Sequence, residues 1–266
     1  MADWLWLSAP VAASLLMAIA LVPLGQRVLA RGVVFADLAI AQWAALGSLA
    51  AGRLFPPLDF MGVPVSSLAS ALLAVALVHL ILRWVADYRE AMIGTLYVLG
   101  ASLATLVISD DPHGAQQLAQ TLNGDLLWVT PAALIPLGVM AALVIGWQLA
   151  LPERLRAVLF LPLFALAVTI TVNQAGIYVV FASLIAAPLA LCRMRRYSVW
   201  WAVAVCFIGH ALGLTLSASF DLPAGATIVT ATIGCSGAAL MLLRRRHHGS
   251  SFLATPSPAH SQNKRS

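Results

Sequence analysis

Asp37 places a carboxylate inside a long apolar run, Phe35-Ala36-Asp37-Leu38-Ala39-Ile40-Ala41-Gln42. Burying a charge in hydrocarbon costs from about 2.5 kcal/mol upward, so such a residue faces protein or water and is a candidate to bind a cation or relay a proton. Its bland alternative is a snorkelling partner for Arg27 or Arg31, because Arg31 lies only about 9 Å away along a helix. The other polar groups in apolar sequence are few: Gln42, His79, Gln148, Asn173, Gln174 and His210. His79 and His210 could be ligand or relay groups; the alternative for each is a hydrogen-bonded core histidine. Two acids sit at segment boundaries, Asp125 in Asn123-Gly124-Asp125-Leu126-Leu127-Trp128 and Asp221 in Ser219-Phe220-Asp221-Leu222-Pro223. Both suit helix N-capping. Both would also suit a mouth that attracts cations or docks a binding protein. Thr130-Pro131 reads as an N-cap followed by an N1 proline, and Trp128 suits a membrane interface.

The elements that position these groups follow from composition. The chain has 266 residues, 61% of them hydrophobic and 9% charged, with a mean hydropathy of +0.93. Ordinary globular domains carry about 25% charged residues. The apolar material falls into blocks of about 17–25 residues, each long enough to cross a ~30 Å hydrocarbon core as a helix. Ten-residue strand-like alternation is absent, which argues against an outer-membrane barrel. The expected fold class is all-α: a polytopic helical membrane protein with about eight or nine spans, at roughly 4–24, 33–52, 62–86, 91–109, 129–150, 155–172, 176–192, 198–218 and 223–243. Small residues after Asp37, from Ala44 to Gly52, allow close helix approach.

Basic residues set the orientation. Fourteen of the fifteen lie in alternate connections or the tail, and only Arg53 lies on the other side. By the positive-inside rule the N-terminus is outside and the C-terminus cytoplasmic. The outer connections are then Arg53–Met61, Ser109–Thr130, Asn173–Ala175 and Ser217–Leu222. The longest contains Ala115–Leu122, which suits a short interfacial or re-entrant helix. Residues 1–246 form the transmembrane domain. Residues 247–266 are polar, rich in Ser, Pro and His, and read as a disordered cytoplasmic tail in which His247, His248 and His260 have no specific task.

Several functions are excluded. The net charge of +5 is spread as topology signal rather than as a nucleic-acid patch, so no nucleic-acid partner is expected. The only lysine is Lys264, so no phosphate-loop motif exists and the chain does not hydrolyse ATP by that route. Nucleophile elbows and paired-histidine zinc motifs are absent as well, and no enzyme is expected. Cys192, Cys206 and Cys235 lack metal-site spacing and read as small core residues. The first apolar block lacks a basic n-region and a small-residue cleavage site, so it is kept as a true span.

Four motifs resemble the permease subunits of zinc- and manganese-type ABC transporters. Phe35-x-Asp37 is similar to that family's Phe-Gly-Asp stretch, and Gly124-Asp125-Leu126-Leu127-x-Val129 to its Gly-Asp-Ile/Leu-Leu motif. The segment from Gly176 to Pro188 resembles its Val-Gly-x-Leu-Leu-Val-x-Ala-Leu-Leu-x-x-Pro run, and Asp221-x-Pro223-Ala224-Gly225 its Asp-x-Pro-x-Gly turn. The resemblance spans most of residues 10–243. It implies a bacterial inner-membrane importer subunit for a divalent metal ion, zinc or manganese, with no permanently bound cofactor. The implied partners are a second permease copy, a cytoplasmic ABC ATPase and an extracytoplasmic metal-binding protein, all within the lipid bilayer's reach. Asp37, Gln42, His79 and His210 would line the metal route, and Asp125 and Asp221 its outer mouth. Asp87, Arg89, Glu90, Arg154, Arg156 and Arg193 would face the ATPase.

The sequence departs from that family in two places. The family pattern Asp-x-x-x-His puts two ligands on one helical face, whereas here Ala41 stands four residues after Asp37 and Gln42 five after. The expectation drawn from this is a π-bulge that rotates Gln42 onto the Asp37 face. The second departure is the cytoplasmic connection after the fifth span, reduced to Leu151-Pro152-Glu153-Arg154-Leu155-Arg156. An ATP-independent carrier, or a structural subunit no longer coupled to an ATPase, is therefore the alternative.

Overall fold

The structure, a computed structural model, describes residues 4–31, 35–51, 53–54, 58–60, 62–84, 89–191 and 199–251. Nine helices make up almost all of it: α1 Ser8–Arg31, α2 Phe35–Ala50, α3 Val65–Trp84, α4 Arg89–Val107, α5 Gly114–Asn123, α6 Leu134–Ala150, α7 Glu153–Leu191, α8 Val199–Phe220 and α9 Ala224–Ser251. Among the described residues seven helices are long and apolar enough to cross a membrane, and α2 is a shorter apolar helix. The all-α membrane architecture expected from the sequence is observed. One small addition is a two-residue antiparallel hairpin, β1 Asp59–Phe60 with β2 Val63–Pro64, in the connection between α2 and α3.

Three helices run further than the apolar pattern implied. Pro23 does not end α1, which carries Arg27 on its last turns. α9 continues to Ser251, so the domain boundary drawn at 246 falls inside a helix; residues 252–266 lie outside the described residues. α7 covers 39 residues, about 58 Å if it were straight and nearly twice the hydrocarbon thickness. It is not straight. Gly176 breaks it with φ 78° and ψ 165°, a region open essentially only to glycine.

The two arms of α7 run in opposite directions. Glu153 is paired with Arg27 near the end of α1. Asn173 reaches Ser48 at the far end of α2 and Ser67 at the start of α3. Eight residues past the break, Leu184 is back against Gly25 of α1. Residues 153–175 and 177–191 thus form the expected two segments, with the reversal at Gly176 in place of a 173–175 loop.

Three of the four motifs meet at that reversal. A side chain at Gly176 would strike Asn123 and Gly124, one at Gly124 would strike Ala175, and one at Gly225 would strike Asn123. Their glycines hold the end of α5 against the tip of α7 and the start of α9. That contact is backbone packing, and it fixes the position of the acid that follows, Asp125.

Elsewhere the core is built from small and aliphatic residues. α2 buries Ala36, Ala39, Ile40, Ala41, Ala44 and Ala45 between α3, α4 and α7. Bare small-residue faces let helices approach closely where no water-driven force holds them together. Hydroxyls then bond across: Ser67 Oγ donates to the Ala44 carbonyl at 2.7 Å, and Ser66 Oγ to the Gly47 carbonyl at 2.7 Å.

Candidate functional site

Asp37 lies in the first turn of α2 and is 1% exposed. Its Oδ1 accepts the Leu38 backbone N–H at 2.7 Å, while its Oδ2 is buried without a hydrogen-bond partner. The snorkelling alternative fails for Arg27, because both guanidinium nitrogens bind Glu153 at 2.8 and 3.0 Å and the guanidinium stacks 4.9 Å from the Trp147 ring centroid. The Arg31 side chain lies outside the described residues.

The far end of α2 opens onto a polar pocket of about 410 Å³. Ser48 and Ala45 of α2, Gln120 and Thr121 of α5, Asp125 and Thr130 of the following loop, and Asn173 and Gln174 of α7 line it. Asp125 makes no helix-capping bond and points its carboxylate at this pocket; burial pushes its carboxyl above the ordinary range. The Thr130 hydroxyl makes no capping bond either, although Pro131 does open the next helical turn.

At 100° per residue Asp37, Ala41, Ala45 and Ser48 form one stripe on α2. The stripe joins the pocket to the buried carboxylate over about 16 Å. Its two intermediate positions are alanines, which offer a smooth wall and no ligand.

The structure places the remaining candidate residues as follows. α2 is an uninterrupted α-helix from Phe35 to Ala50, so the expected π-bulge is absent and Gln42 stays about 140° from Asp37. Gln42 is buried and turns toward Gly100 of α4. The helix needs no bulge because Trp43, not Gln42, anchors α2 to α4, its indole donating to the Leu96 carbonyl at 3.0 Å. His79 is exposed on the outer face of α3 beside Leu80, away from Asp37.

His210 is fully buried between α7 and α8. Its Nε2 lies 2.9 Å from Ser183 Oγ and 3.7 Å from Cys206 Sγ. The Ser183 hydroxyl already donates to the Val179 carbonyl at 2.7 Å, so it accepts from an Nε2–H. That nitrogen carries a proton and has no lone pair for a metal. Asp221 is exposed in a left-handed turn with φ 51°, where Ser217 caps the end of α8 by donating to the Leu222 carbonyl at 2.7 Å. It does not line the pocket with Asp125.

Among the residues expected to face an ATPase, Asp87 and Arg193 lie outside the described residues. Arg89 and Arg154 are exposed. Arg156 turns inward instead, pairing with Glu153 at 3.4 Å while its carbonyl accepts the Trp147 indole at 3.2 Å. Glu90 is half-buried, and its Oε2 is enclosed without a hydrogen-bond partner. Its charge acts on Asp37 across the α2–α4 contact. The sequence reading missed this pairing, although the signal was present: both acids stand in the first turn of their helices, α2 and α4, which run the same way with α3 returning between them. Among the described residues no three His, Cys, Asp or Glu side chains come together as a metal cluster.

The geometry is matched in a solved structure. A chain of "PsaBC from Streptococcus pneumoniae in complex with Fab" superposes with a TM-score of 0.72 at 16% identity, covering 89% of this chain and 91% of that one. The fold is that of a PsaBC chain. Residues 148–242 match the model of the ABC 3 transport family, a segment that holds both the Gly176–Pro188 and the Asp221–Gly225 motifs. A "Probable metal transport system membrane protein" of Chlamydia trachomatis is 22% identical over 200 residues, 67% of each chain. A protein of the same description from Chlamydia pneumoniae is 24% identical over 195 residues, 65% of this chain and 64% of that one. The resemblance drawn from the four motifs is therefore met in sequence and in fold. This chain is a multi-pass membrane protein similar to metal-transport membrane proteins.

Proposed function

We propose that this chain is the membrane-spanning subunit of an ABC-type importer for a divalent transition metal ion, zinc or manganese. In this reading it crosses a bacterial inner membrane nine times, counting α2 and both arms of α7, with its N-terminus outside. A second copy completes the pore, a separate cytoplasmic ATPase supplies energy, and an extracytoplasmic protein delivers metal to the Asp125 pocket. The observation that carries the reading is the α2 stripe, which leads from the polar pocket to a carboxylate oxygen that no protein group meets. A cation entering past Asp125 would shed water along alanines and be held by Asp37, where a low-dielectric surrounding strengthens the attraction.

One observation favours a second reading, an ATP-independent carrier. Only Leu151 and Pro152 separate α6 from α7, and the adjoining Glu153 and Arg156 are tied to Arg27 and Trp147. A connection so short and so pinned presents little to an ATPase beyond Arg154 and Arg89. Co-purification with a candidate ATPase, followed by metal-stimulated ATP hydrolysis, separates the two. A stable complex with stimulated hydrolysis is expected; no association sinks the coupled importer and favours the carrier.

A further inference from the structure

Asp37 and Glu90 occupy equivalent places on parallel helices. The packing of α2 on α4 pairs residues 53 or 54 positions apart: the Trp43 indole donates to the Leu96 carbonyl at 3.0 Å, and Arg53 donates to the Val107 carbonyl at 3.1 Å. Asp37 and Glu90 have the same separation, and the same register sets them side by side. Each holds a buried carboxylate oxygen without a hydrogen-bond partner, Oδ2 of Asp37 and Oε2 of Glu90. The described ion pairs join Arg27 and Arg156 to Glu153 and Arg53 to Asp111, and none of them reaches either acid.

Two facing carboxylates in an apolar bundle repel each other and are poorly solvated. The positive ends of the α2 and α4 dipoles offset only part of that. The arrangement persists most comfortably with a counter-ion between the two orphaned oxygens. We propose that Glu90 is the second carboxylate ligand of the cation held by Asp37, and that the site takes a hard divalent ion, Mn²⁺ in the transition series. Only oxygen donors face the site, with neither imidazole nor thiolate to favour Zn²⁺ by ligand softness. The remaining positions of a six-coordinate ion are filled by water, as such ions keep part of their hydration shell. The inference rests on the permease reading for the ion's role as cargo, not for its binding.

The test is a Mn²⁺ titration of the full chain purified in detergent, followed by electron paramagnetic resonance, with melting curves recorded with and without Mn²⁺. The wild type is expected to bind Mn²⁺, Glu90→Gln to bind it at least tenfold more weakly, and Glu90→Asp to keep part of the affinity. Without metal, Glu90→Gln should melt no lower than the wild type, because one of two repelling charges has gone, while the Mn²⁺-induced rise in Tm shrinks. A merely structural Glu90 would give a lower metal-free Tm and an unaltered rise. Wild-type binding that Glu90→Gln leaves unchanged overturns the second ligand and leaves the permease reading standing. Failure to associate with an ATPase removes that reading without touching the titration.

Discussion

Asp37 and His210 are both polar, both buried to within 1% of full enclosure, and both sit in helices of small residues, yet the two regions around them differ in kind. In the α7–α8 region every contact of the His210 Nε2 is neutral and reciprocal: a hydroxyl accepts from it and a thiol packs beside it. In the α2–α4 region an anionic oxygen is left open opposite a second acid. Burial by itself is no sign of function. An uncompensated charge is a better one, because a neutral imidazole loses little in the core, whereas a carboxylate there needs a partner that the protein withholds.

Asp37→Asn breaks that comparison most sharply. The amide keeps the shape and removes the charge, so cellular uptake of ⁵⁴Mn²⁺ should fall on the order of 100-fold, equivalent to about 2.7 kcal/mol of cation binding. Uptake that persists unchanged would remove Asp37 from the route. His210→Ala should do the reverse. Loss of its bond to Ser183 and the cavity it leaves should lower stability by about 2–4 kcal/mol, read as a fall in Tm, while uptake per folded molecule stays at the wild-type level.

A third substitution sharpens the selectivity argument. Ala41 lies on the Asp37 stripe one turn further along, where a side chain can share a ligand with Asp37. Ala41→His should raise the affinity for Zn²⁺ relative to Mn²⁺ by about tenfold, because imidazole suits zinc and oxygen donors suit manganese. Competition of Zn²⁺ against bound Mn²⁺ measures the ratio directly. An unchanged ratio would mean that the stripe does not point at the ion.

These contrasts also explain what the sequence made legible. The helices were, because apolar run length is a local property, and so was the α7 turn, because Gly176 is a local break. The order of the four motifs pointed to the fold later matched. What failed needed inter-helix register. His79 and His210 read alike as lone intramembrane histidines, yet one faces outward and the other is locked to Ser183. Gln42 was rotated onto Asp37 by a bulge the helix does not need, since Trp43 already fixes α2 against Gly100. Glu90 was assigned to the surface because it follows Arg89 in a charged connection. Only the parallel packing of α2 and α4 turns it toward Asp37.

The smallest effect expected is at the outer end of the same α2–α4 pair, where charge is compensated. Arg53, the lone basic residue outside the alternate connections, binds the Val107 carbonyl, Asp111 and Gln117 and so ties α5 down beside the Asp125 pocket. The Asp111 carboxyl is held below its ordinary value of 3.8, first by the His113 backbone N–H and also by Arg53. A carboxyl depressed by folding contributes stability that is complete above its unfolded value and is lost as pH falls through the lower folded one. Hydrogen exchange in Gly114–Asn123, corrected for intrinsic rates, should therefore be flat from about pH 5 to 7 and accelerate only below about pH 4. Because these groups are solvent-exposed, Arg53→Ala should accelerate exchange in α5 by less than about fivefold at neutral pH. A larger change would show that Arg53 closes the pocket rather than steadying its rim, and the compensated end of α2 would then be as consequential as the uncompensated one.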